Sequence, residues 1–279
     1  MKKTDLATFQ RELLETGGYR TPAERLGKRR APGAWTTFRF ALSVAKVFPM
    51  SALTDIFNGL TIERWREFCF SSLTIAERFG MPVTVEGLAD RAAHSGPVMY
   101  LSNHLSTYET AALPAILHAY GPLALVAKES LCHLPMLRHA TRICGLIGLG
   151  RKNPKEDLLK LYDRGGKALA DGSSMLIFPQ GTRDDVFSRK RFSSIGAKLA
   201  ERAGVPIVPI AVDSRCLPTR KSGILKAIFK DFGPVDTARD VRIAAGPVIP
   251  CGKAREMHEQ CFDWIAGKLE SWNMPVERN

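Results

Sequence analysis

The sequence predicts an α/β fold in which a mostly parallel sheet is flanked by helices. After residue 80, short apolar runs typical of strands alternate with longer segments whose apolar residues repeat at helical spacing. This alternation is typical of parallel sheets, because two parallel strands need a long crossover connection, which is usually a helix. A chain of 279 residues with 45% hydrophobic residues is also long enough to bury a full core.

The predicted elements follow one another along the chain from residue 83. Each predicted strand is an apolar run bounded by Gly, Pro or polar residues. One helix has a clear start, because Asn153 is a suitable cap, Pro154 suits a first turn and Glu156 completes a pattern like a capping box. The predicted strands are 83–86, 98–101, 123–127, 175–178, 207–212 and 241–245. The predicted helices are 107–119, 154–170, 194–202 and 255–272.

The chain divides into three predicted segments. Residues 1–33 are polar and basic and are expected to form a flexible basic arm. Residues 34–79 are expected to form a pair of amphipathic helices that can associate with a membrane, and residues 80–279 form the main domain. No internal repeat divides the chain further.

The first helix of the N-terminal pair is predicted over residues 35–49, and the second over residues 55–78. The first is apolar around most of its circumference and carries a narrow basic stripe that includes Arg39 and Lys46. Such a helix can lie in a membrane interface or be buried against the domain, and the sequence leaves both open.

The net charge of +12 indicates an anionic partner, unless the charge serves only to solvate the surface. A phospholipid surface and an acidic thioester carrier fit this charge. A nucleic acid is poorly supported, because the aromatic residues lie mostly in apolar runs and no known nucleic-acid motif is present. Six scattered cysteines without metal-ligand spacing favour reduced thiols in a cytosolic setting.

No membrane-crossing segment is expected from the sequence. The first fifteen residues have mixed charge and lack the apolar stretch of a secretory signal. The longest uncharged run, residues 110–127, is interrupted by Pro114 and by Gly121-Pro122. It therefore predicts a buried helix followed by a strand, although it just reaches the length of about 18 residues that a span needs.

The first candidate catalytic segment, residues 103–109, follows a predicted strand. His104 is a candidate base, and Glu109 can orient it only if His104 precedes a helix and Glu109 lies in its first turn. Residues 106–109 match a capping box with Ser106 as the cap, which supports that arrangement and also offers a purely structural role for Glu109. Because no Ser or Cys nucleophile is evident nearby, the pattern favours direct proton abstraction from an acceptor hydroxyl.

The second candidate segment, Gly181-Thr182-Arg183, follows another predicted strand. Backbone amides, a hydroxyl and an arginine suit a phosphate, although a turn after a strand often needs a Gly in any case. Two further basic corners, at 151–152 and 189–191, either join this site or are solvated surface.

Four segments of the chain resemble, in order and spacing, the motif blocks of glycerolipid acyltransferases. The blocks are Asn-His-x-Ser-x-x-Glu at 103–109, Gly-x-Gly-Arg at 148–151, Phe-Pro-Gln-Gly-Thr-Arg at 178–183 and Val-Pro-Ile-Val-Pro-Ile at 205–210. The closest resemblance is to the lysophosphatidic acid acyltransferase branch of the lysophospholipid acyltransferase superfamily. It covers residues from about 80 to about 250, and four ordered blocks make it specific.

This resemblance implies transfer of a fatty acyl group from coenzyme A or acyl carrier protein to a lysophospholipid hydroxyl, without a metal or cofactor. It places the protein on the cytoplasmic face of the cell membrane, as a peripheral or monotopic protein on an anionic surface. It makes His104 the base and Glu109 the group that orients it. The substrate-binding residues implied in the same way are Arg151, Gln180, Gly181, Thr182, Arg183, Pro206 and Pro209.

Two residues depart from the usual pattern of this branch. Glu109 stands where the acid is usually Asp, and Gln180 stands where a Glu is usual. A Glu at the first position is frequent in the related lipid A late acyltransferases. An acyltransferase with another acceptor, such as lyso-ornithine lipid or a lipid A precursor, is therefore an alternative, and a non-catalytic basic membrane-binding protein is a more distant one.

Overall fold

A computed structural model describes residues 5–44, 61–133, 142–150, 152–217 and 233–279. The strands are β1 (Tyr19–Arg20), β2 (Val83–Glu86), β3 (Met99–Ser102), β4 (Leu123–Lys128), β5 (Ile147–Leu149), β6 (Ser174–Ile177), β7 (Phe187–Ser188), β8 (Ile207–Asp213), β9 (Val241–Ala245) and β10 (Val276–Glu277). The helices are α1 (Leu6–Thr16), α2 (34–44), α3 (Ile62–Arg78), α4 (Ala89–Ala93), α5 (Glu109–Leu117), α6 (Pro154–Ala170), α7 (Ile195–Ala203) and α8 (Ala254–Ser271).

Eight strands form one sheet in the order β1-β2-β9-β8-β3-β6-β4-β5. The five strands from β8 to β5 are parallel, so their carboxyl ends share one edge, which we call the carboxyl edge. β9 runs antiparallel to β8, β2 runs parallel to β9, and β1 runs antiparallel to β2. The predicted α/β class with a mostly parallel sheet is therefore confirmed.

Helices cover both faces of the sheet, which explains why its central strands are apolar at successive positions. Along β3, Tyr100 packs with the apolar residues of α1, α3 and α5, whereas Met99 and Leu101 pack with those of α6, α7 and α8. Side chains alternate between the two faces of a strand, so a strand buried on both faces is apolar along most of its length and has polar residues only at its ends, as at Ser102 of β3. β6 and β8 are buried at every residue for the same reason.

The predicted elements of residues 83–272 are found within about two residues of their expected bounds. The helix predicted over 154–170 has those same bounds. The Asn153 side chain accepts hydrogen bonds from the backbone N–H groups of Lys155 and Glu156, and it donates one to the Glu156 carboxylate. The prediction succeeded there because the signal was local.

The expectation of a flexible basic arm is wrong for residues 5–33. Phe9 and Leu13 lie one turn apart on α1 and are fully buried in the core. Beyond β1, Arg25 forms a buried ion pair with Glu77 of α3, at 2.9 Å, and the Tyr19 hydroxyl donates to the same carboxylate at 2.6 Å. The prediction followed from the basic composition and overlooked the apolar face of α1, whose residues repeat at helical spacing.

Helix α2 has one buried face and one exposed apolar face. Phe40 is buried and packs edge-on against Phe79, the residue that follows α3, with ring centroids 5.2 Å apart. Trp35, Phe38 and Leu42 are 68%, 51% and 43% exposed. Burial against the domain therefore holds for the face that carries Phe40, and a place of the exposed face in a membrane interface stays a prediction.

The remainder of the predicted helical pair, residues 45–60, lies outside the described residues, so the pair itself stays a prediction. Within the described ranges, no helix combines the length and the apolar character that crossing a bilayer requires.

Candidate active site

The two candidate segments leave neighbouring strands at the carboxyl edge. Residues 103–109 follow β3, residues 178–183 follow β6, and β3 pairs with β6 in parallel. Two contacts join the loops: the Asp184 N–H donates to the His104 carbonyl at 2.9 Å, and the Arg183 guanidinium donates to the Thr107 hydroxyl. The structure thus brings the candidate base and the candidate anion-binding loop together, as expected from parallel strands.

Asn103 fixes the start of the first loop. Its side-chain amide donates to the Val212 carbonyl and accepts from the Val212 N–H, both at 2.8 Å. The side chain therefore continues the pairing of β3 with β8 beyond the last backbone contact, at Ser102 and Ile210. Because the amide is buried, both bonds are protected from competing water.

Glu109 is the first residue of α5, and its carboxylate is fully buried. Oε1 accepts from the N–H groups of Leu105 and Ser106, the second at 2.7 Å. Oε2 accepts from the hydroxyls of Ser106, at 2.5 Å, and Ser214, at 3.0 Å. Four donors thus replace the water that the carboxylate loses on burial.

These donors and His104 keep Glu109 ionised. Burial raises the pKa of the Glu109 carboxyl, but the interaction with His104, together with the Ser106 donors, outweighs burial and holds the pKa below its usual value of 4.5. A fixed negative charge therefore lies inside the protein beside the imidazole.

His104 lies between this carboxylate and an aromatic ring. Its Nδ1 is 3.5 Å from Oε1 of Glu109, an ion-pair contact longer than a hydrogen bond, and this buried nitrogen has no hydrogen-bond partner among the described residues. Phe178 stacks on the imidazole with ring centroids 4.2 Å apart and an interplanar angle of 23°. The side chain is 13% exposed, and Nε2 is the nitrogen not turned to Glu109. This ring can take a proton at Nε2 while Glu109 stabilises the charge.

The predicted cap at Ser106 is wrong. The helix begins at Glu109 after Tyr108, and no side chain caps it. Half of the expected box is present, since the Glu109 carboxylate accepts from the Ser106 N–H. The Ser106 hydroxyl, however, donates to that carboxylate and accepts from the Tyr108 N–H at 3.2 Å. The Ser106 hydroxyl therefore binds the Glu109 carboxylate and does not cap the helix.

Residues 82–213 match the family model named Acyltransferase. They contain both loops described above. Over this segment, slightly less than half of the chain, the protein is similar to that family.

The chain is similar to several curated proteins named 1-acyl-sn-glycerol-3-phosphate acyltransferase. The protein from Pseudomonas aeruginosa is 32% identical over 177 residues, which are 63% of this chain and 64% of the relative. LPAT1 of Arabidopsis thaliana chloroplasts is 28% identical over 147 residues, covering 51% and 40%. The human alpha form is 27% identical over 180 residues, covering 64% and 60%. The chain thus spans less than two thirds of the length of these relatives.

A solved structure shares the fold. It is the 1-acyl-sn-glycerophosphate (LPA) acyltransferase PlsC from Thermotoga maritima, with a TM-score of 0.57 and 17% sequence identity. The match covers 85% of this chain and 98% of that chain.

The candidate anion-binding loop, residues 178–183, begins with a tight turn. The Gly181 N–H donates to the Phe178 carbonyl at 2.9 Å, and Gly181 has a φ of 68°, which a residue with a side chain rarely adopts. Gly181 and Thr182 are exposed, and Arg183 is half-buried. The turn therefore presents two exposed residues and a cation at the edge where His104 lies.

The Gln180 side chain turns back into its own loop. It is buried, and its amide nitrogen donates to the Val186 carbonyl at 3.1 Å. This contact gives Gln180 a role in holding the loop that carries Gly181, Thr182 and Arg183.

The sequence contains two other basic corners. The corner at 151–152 lies partly outside the described residues, and the arginines of the corner at 189–191 pair with acidic side chains. Arg151 is outside them, and the preceding loop leaves β5, whose distance from β3 is about 14 Å at usual strand spacing. Arg189 pairs with Glu259 and Asp263 of α8, and Arg191 pairs with Asp184. Arg189 therefore joins the corner at 189–191 to α8, and Arg191 joins it to Asp184, which follows Arg183, so both arginines form ion pairs within the fold.

Pro206 and Pro209 are not at the carboxyl edge. Pro206 precedes β8, at the opposite edge of the sheet, where its carbonyl accepts from the Met99 N–H at 2.9 Å. Pro209 is buried within β8 beside Leu101, and its carbonyl accepts from the Gly246 N–H. The direction of β8 therefore gives Pro209 a place within the sheet and Pro206 a place before it, and contact of either proline with substrate stays a prediction.

Three residues of the site had no predicted role. Thr107 contacts Arg183, Phe178 stacks on His104, and Ser214 contacts Glu109. Ser214 could have been found, because it directly follows β8, and β8 was expected to end at the same edge as β3. Among the described residues, no three His, Cys, Asp or Glu side chains cluster closely enough to hold a metal ion.

Proposed function

We propose that this protein is an O-acyltransferase that moves a fatty acyl group from an acyl thioester to the hydroxyl of a lysophospholipid. The observation that carries this proposal is the His104 imidazole, held between Phe178 and the buried Glu109 carboxylate and adjacent to the loop of Arg183. A base, an orienting acid and a cation at one sheet edge suit attack by a hydroxyl on a phosphate-bearing substrate. The relatives described above, all named 1-acyl-sn-glycerol-3-phosphate acyltransferase, support the same substrate class.

In this mechanism, Nε2 of His104 takes the proton from the acceptor hydroxyl as the oxygen attacks the thioester carbonyl. The imidazolium is stabilised by the Glu109 carboxylate on its Nδ1 side. When the tetrahedral intermediate collapses, the carbon–sulfur bond breaks, and the leaving thiolate takes the proton from Nε2. The products are an ester and a free thiol, and His104 returns to its neutral form.

The acceptor phosphate is proposed to bind at Gly181, Thr182 and Arg183. A guanidinium offers five donors in a fixed fork, and the exposed turn adds a hydroxyl and backbone amides. The contact with Thr107 keeps Arg183 beside the loop of His104. A phosphate held there would place a neighbouring hydroxyl of the same molecule near Nε2. Arg151 is proposed as a further contact to substrate.

The membrane surface is proposed to be an anionic bilayer, met by the exposed face of α2. Trp35, Phe38 and Leu42 follow one another at spacings of three and four residues, so they lie on one side of the helix. The rings of Trp35 and Phe38 stack with centroids 5.6 Å apart, and Arg39 is exposed next to them. Aromatic and basic residues in this arrangement suit the headgroup region of a bilayer, and the proposal places the protein there peripherally, on the cytoplasmic face.

The test is an assay of the full-length protein with two donors and a panel of acceptors. The donors are an acyl-CoA and an acyl-acyl carrier protein, and the acceptors are lysophosphatidate, other lysophospholipids, lyso-ornithine lipid and a lipid A precursor. We expect ester formation with lysophosphatidate or another lysophospholipid. Transfer only to lyso-ornithine lipid or to the lipid A precursor would overturn the lysophospholipid assignment. If no acceptor is acylated, the proposal that the protein is an acyltransferase is rejected.

His104→Ala tests the base. It should slow transfer by about 10²- to 10⁴-fold. His94→Ala is the matched control, because His94 follows α4 and precedes β3 on the side of the sheet away from the site. Full activity of folded His104→Ala would reject the assignment of His104.

A further inference from the structure

Ser214 is a buried serine that directly follows β8 at the carboxyl edge. Its hydroxyl oxygen lies 3.0 Å from Oε2 of Glu109 and 3.0 Å from the Ser106 hydroxyl oxygen. The contact joins two positions that are 105 residues apart in the chain. None of the motif blocks recognised in the sequence contains this residue.

The chemistry of these groups determines where the hydroxyl protons point. An ionised carboxylate can only accept hydrogen bonds, and each serine hydroxyl has one proton to donate. Glu109 is held in its ionised form, so Ser106 and Ser214 both donate to Oε2. Their protons are then used, and the contact between the two serine oxygens adds no second donation.

Ser214 differs from the other donors to this carboxylate in its origin. The Leu105 N–H, the Ser106 N–H and the Ser106 hydroxyl all belong to the loop that leads into α5, so they move with it. Ser214 belongs to the end of β8. That strand is held two residues earlier by the paired hydrogen bonds of Val212 with Asn103.

We infer that Ser214 is a positioning residue for the proposed reaction: it holds Oε2 of Glu109 so that Oε1 faces Nδ1 of His104. A carboxylate is planar, so fixing one oxygen against the sheet fixes the direction of the other. With the carboxylate fixed, the imidazole keeps its proton on Nδ1 and leaves Nε2 free to accept the substrate proton. This inference rests on the proposed role of His104.

Ser214→Ala should lower kcat about tenfold, because a hydrogen bond to a charged group contributes on the order of 1.5 kcal/mol or more. KM for both substrates should stay within about twofold, since Ser214 contacts the acid and not the proposed substrate loop. Ser102→Ala is the matched control. Ser102 is also buried at the carboxyl edge, but its hydroxyl donates to the Asn103 carbonyl at 3.0 Å.

The spectroscopic test is the ¹⁵N shift of the His104 ring nitrogens, measured on the full-length protein. The wild-type protein and Ser102→Ala should show a proton on Nδ1, and Ser214→Ala should show a mixture of the two neutral forms. Ser214→Cys keeps nearly the same size with a weaker donor, so it should fold and lose an intermediate amount of kcat. When Glu109 is already replaced by Gln, Ser214→Ala should lower kcat by at most a further factor of about two, because the carboxylate that Ser214 positions is then absent.

Three results would overturn the inference. They are equal kcat in Ser214→Ala and Ser102→Ala, an effect on KM alone, and wild-type ¹⁵N shifts in the Ser214 variants. If the wild-type protein acylates none of the acceptors, the proposed function fails, and the ¹⁵N shifts still decide whether Ser214 positions the pair.

Discussion

Arg183 links the two halves of the candidate site through one side chain. It leaves the turn after β6 and donates to the Thr107 hydroxyl in the loop after β3. Thr107 lies between the donors to Glu109 and the start of α5, so a phosphate at Arg183 would be close to His104. The arginine is therefore expected to act on the acceptor rather than on the thioester.

Arg183→Ala should raise KM for the acceptor by about tenfold or more, because a charge-assisted hydrogen bond contributes about 1.5–3 kcal/mol. KM for the acyl thioester should change little. Steady-state kinetics with each substrate varied in turn separate the two effects. Arg202→Ala is the control, because Arg202 is an exposed arginine of α7 that lies over Tyr162. If KM for the acceptor is unchanged in Arg183→Ala, the proposal that Arg183 binds the acceptor phosphate is rejected.

Gln180→Glu distinguishes a loop-holding role from a role in choosing the acceptor. A glutamate here would lose the donor to the Val186 carbonyl and place a buried charge against that oxygen. We expect the free energy of unfolding to fall by about 1–3 kcal/mol, measured by urea denaturation. Kinetics on a panel of lysolipids should show weaker binding of all acceptors without a new ranking. Unchanged stability together with a changed ranking would show instead that position 180 faces the acceptor.

At the scale of elements, helix α2 is divided along its length into two faces. Phe40 attaches it to α3, while Trp35, Phe38 and Leu42 remain exposed. A contiguous apolar surface exposed to water is unfavourable unless a binding partner covers it. The proposed bilayer interface would cover this surface while Phe40 stays packed against Phe79.

Replacing Trp35 and Phe38 together by alanine should weaken binding to anionic vesicles by at least about tenfold, since each buried aromatic contributes about 1.5–3 kcal/mol. Co-sedimentation with phosphatidylglycerol vesicles measures this. Leu159→Ala is the control, because Leu159 is 60% exposed on α6. Added salt should weaken wild-type binding further, since charges at a surface are screened over about 8–10 Å. Equal binding by the double variant and the control would exclude α2 as the contact.

Local signals made some elements predictable. The cap and first turn of α6 lie within four residues of sequence, so its bounds followed from the pattern. The approach of His104 to Glu109 also followed, because five residues and a helix start determine it. Ser106 was misread as a cap because its hydroxyl had a stronger acceptor nearby, the carboxylate three residues later.

Contacts between distant segments could not be read from the sequence. Ser214 reaches Glu109 only because β8 pairs with β3, and Arg189 is neutralised only because α8 packs beside it. The basic arm was misjudged for the same reason. Its charges were visible in the composition, whereas Glu77, the buried partner of Arg25, lies 52 residues away.

At the scale of the whole molecule, the net charge of +12 is the excess of 40 Lys and Arg over 28 Asp and Glu, so ion pairs inside the fold leave it unchanged but determine which cations can meet a partner. Arg25, Arg189, Arg191, Arg215 and Arg242 all make ion pairs within the described residues. Those pairs join the N-terminal segment to α3, the segment after β7 to α8, and β8 to β9. Charge that stabilises the fold in this way is not free to bind a membrane or a carrier protein.

The buried His118 is expected to make the whole fold sensitive to mild acid. It follows α5, and both ring nitrogens lack hydrogen-bond partners among the described residues. Burial, and then the Arg66 guanidinium, lower the pKa of His118 from 6.5 to about 4. In the unfolded chain the imidazole titrates near pH 6.5. Between these values the unfolded state binds a proton that the folded state does not, so the free energy of unfolding falls as the pH drops from 6.5 to 4.

Between pH 6.5 and pH 4, the free energy of unfolding should fall by about 3 kcal/mol less in His118→Leu than in the wild-type protein. This difference corresponds to the lowered pKa of His118. Urea denaturation of the protein without vesicles, repeated at intervals from pH 7.5 to pH 4, measures it. His94→Leu should keep the wild-type slope, because His94 is only half-buried. The Glu109 carboxylate acts in a separate window: its lowered pKa stabilises the fold above pH 4.5, and that contribution is lost only as the pH falls further. A slope in His118→Leu equal to that of the wild-type protein between pH 6.5 and 4.5 would show that His118 is not the group responsible.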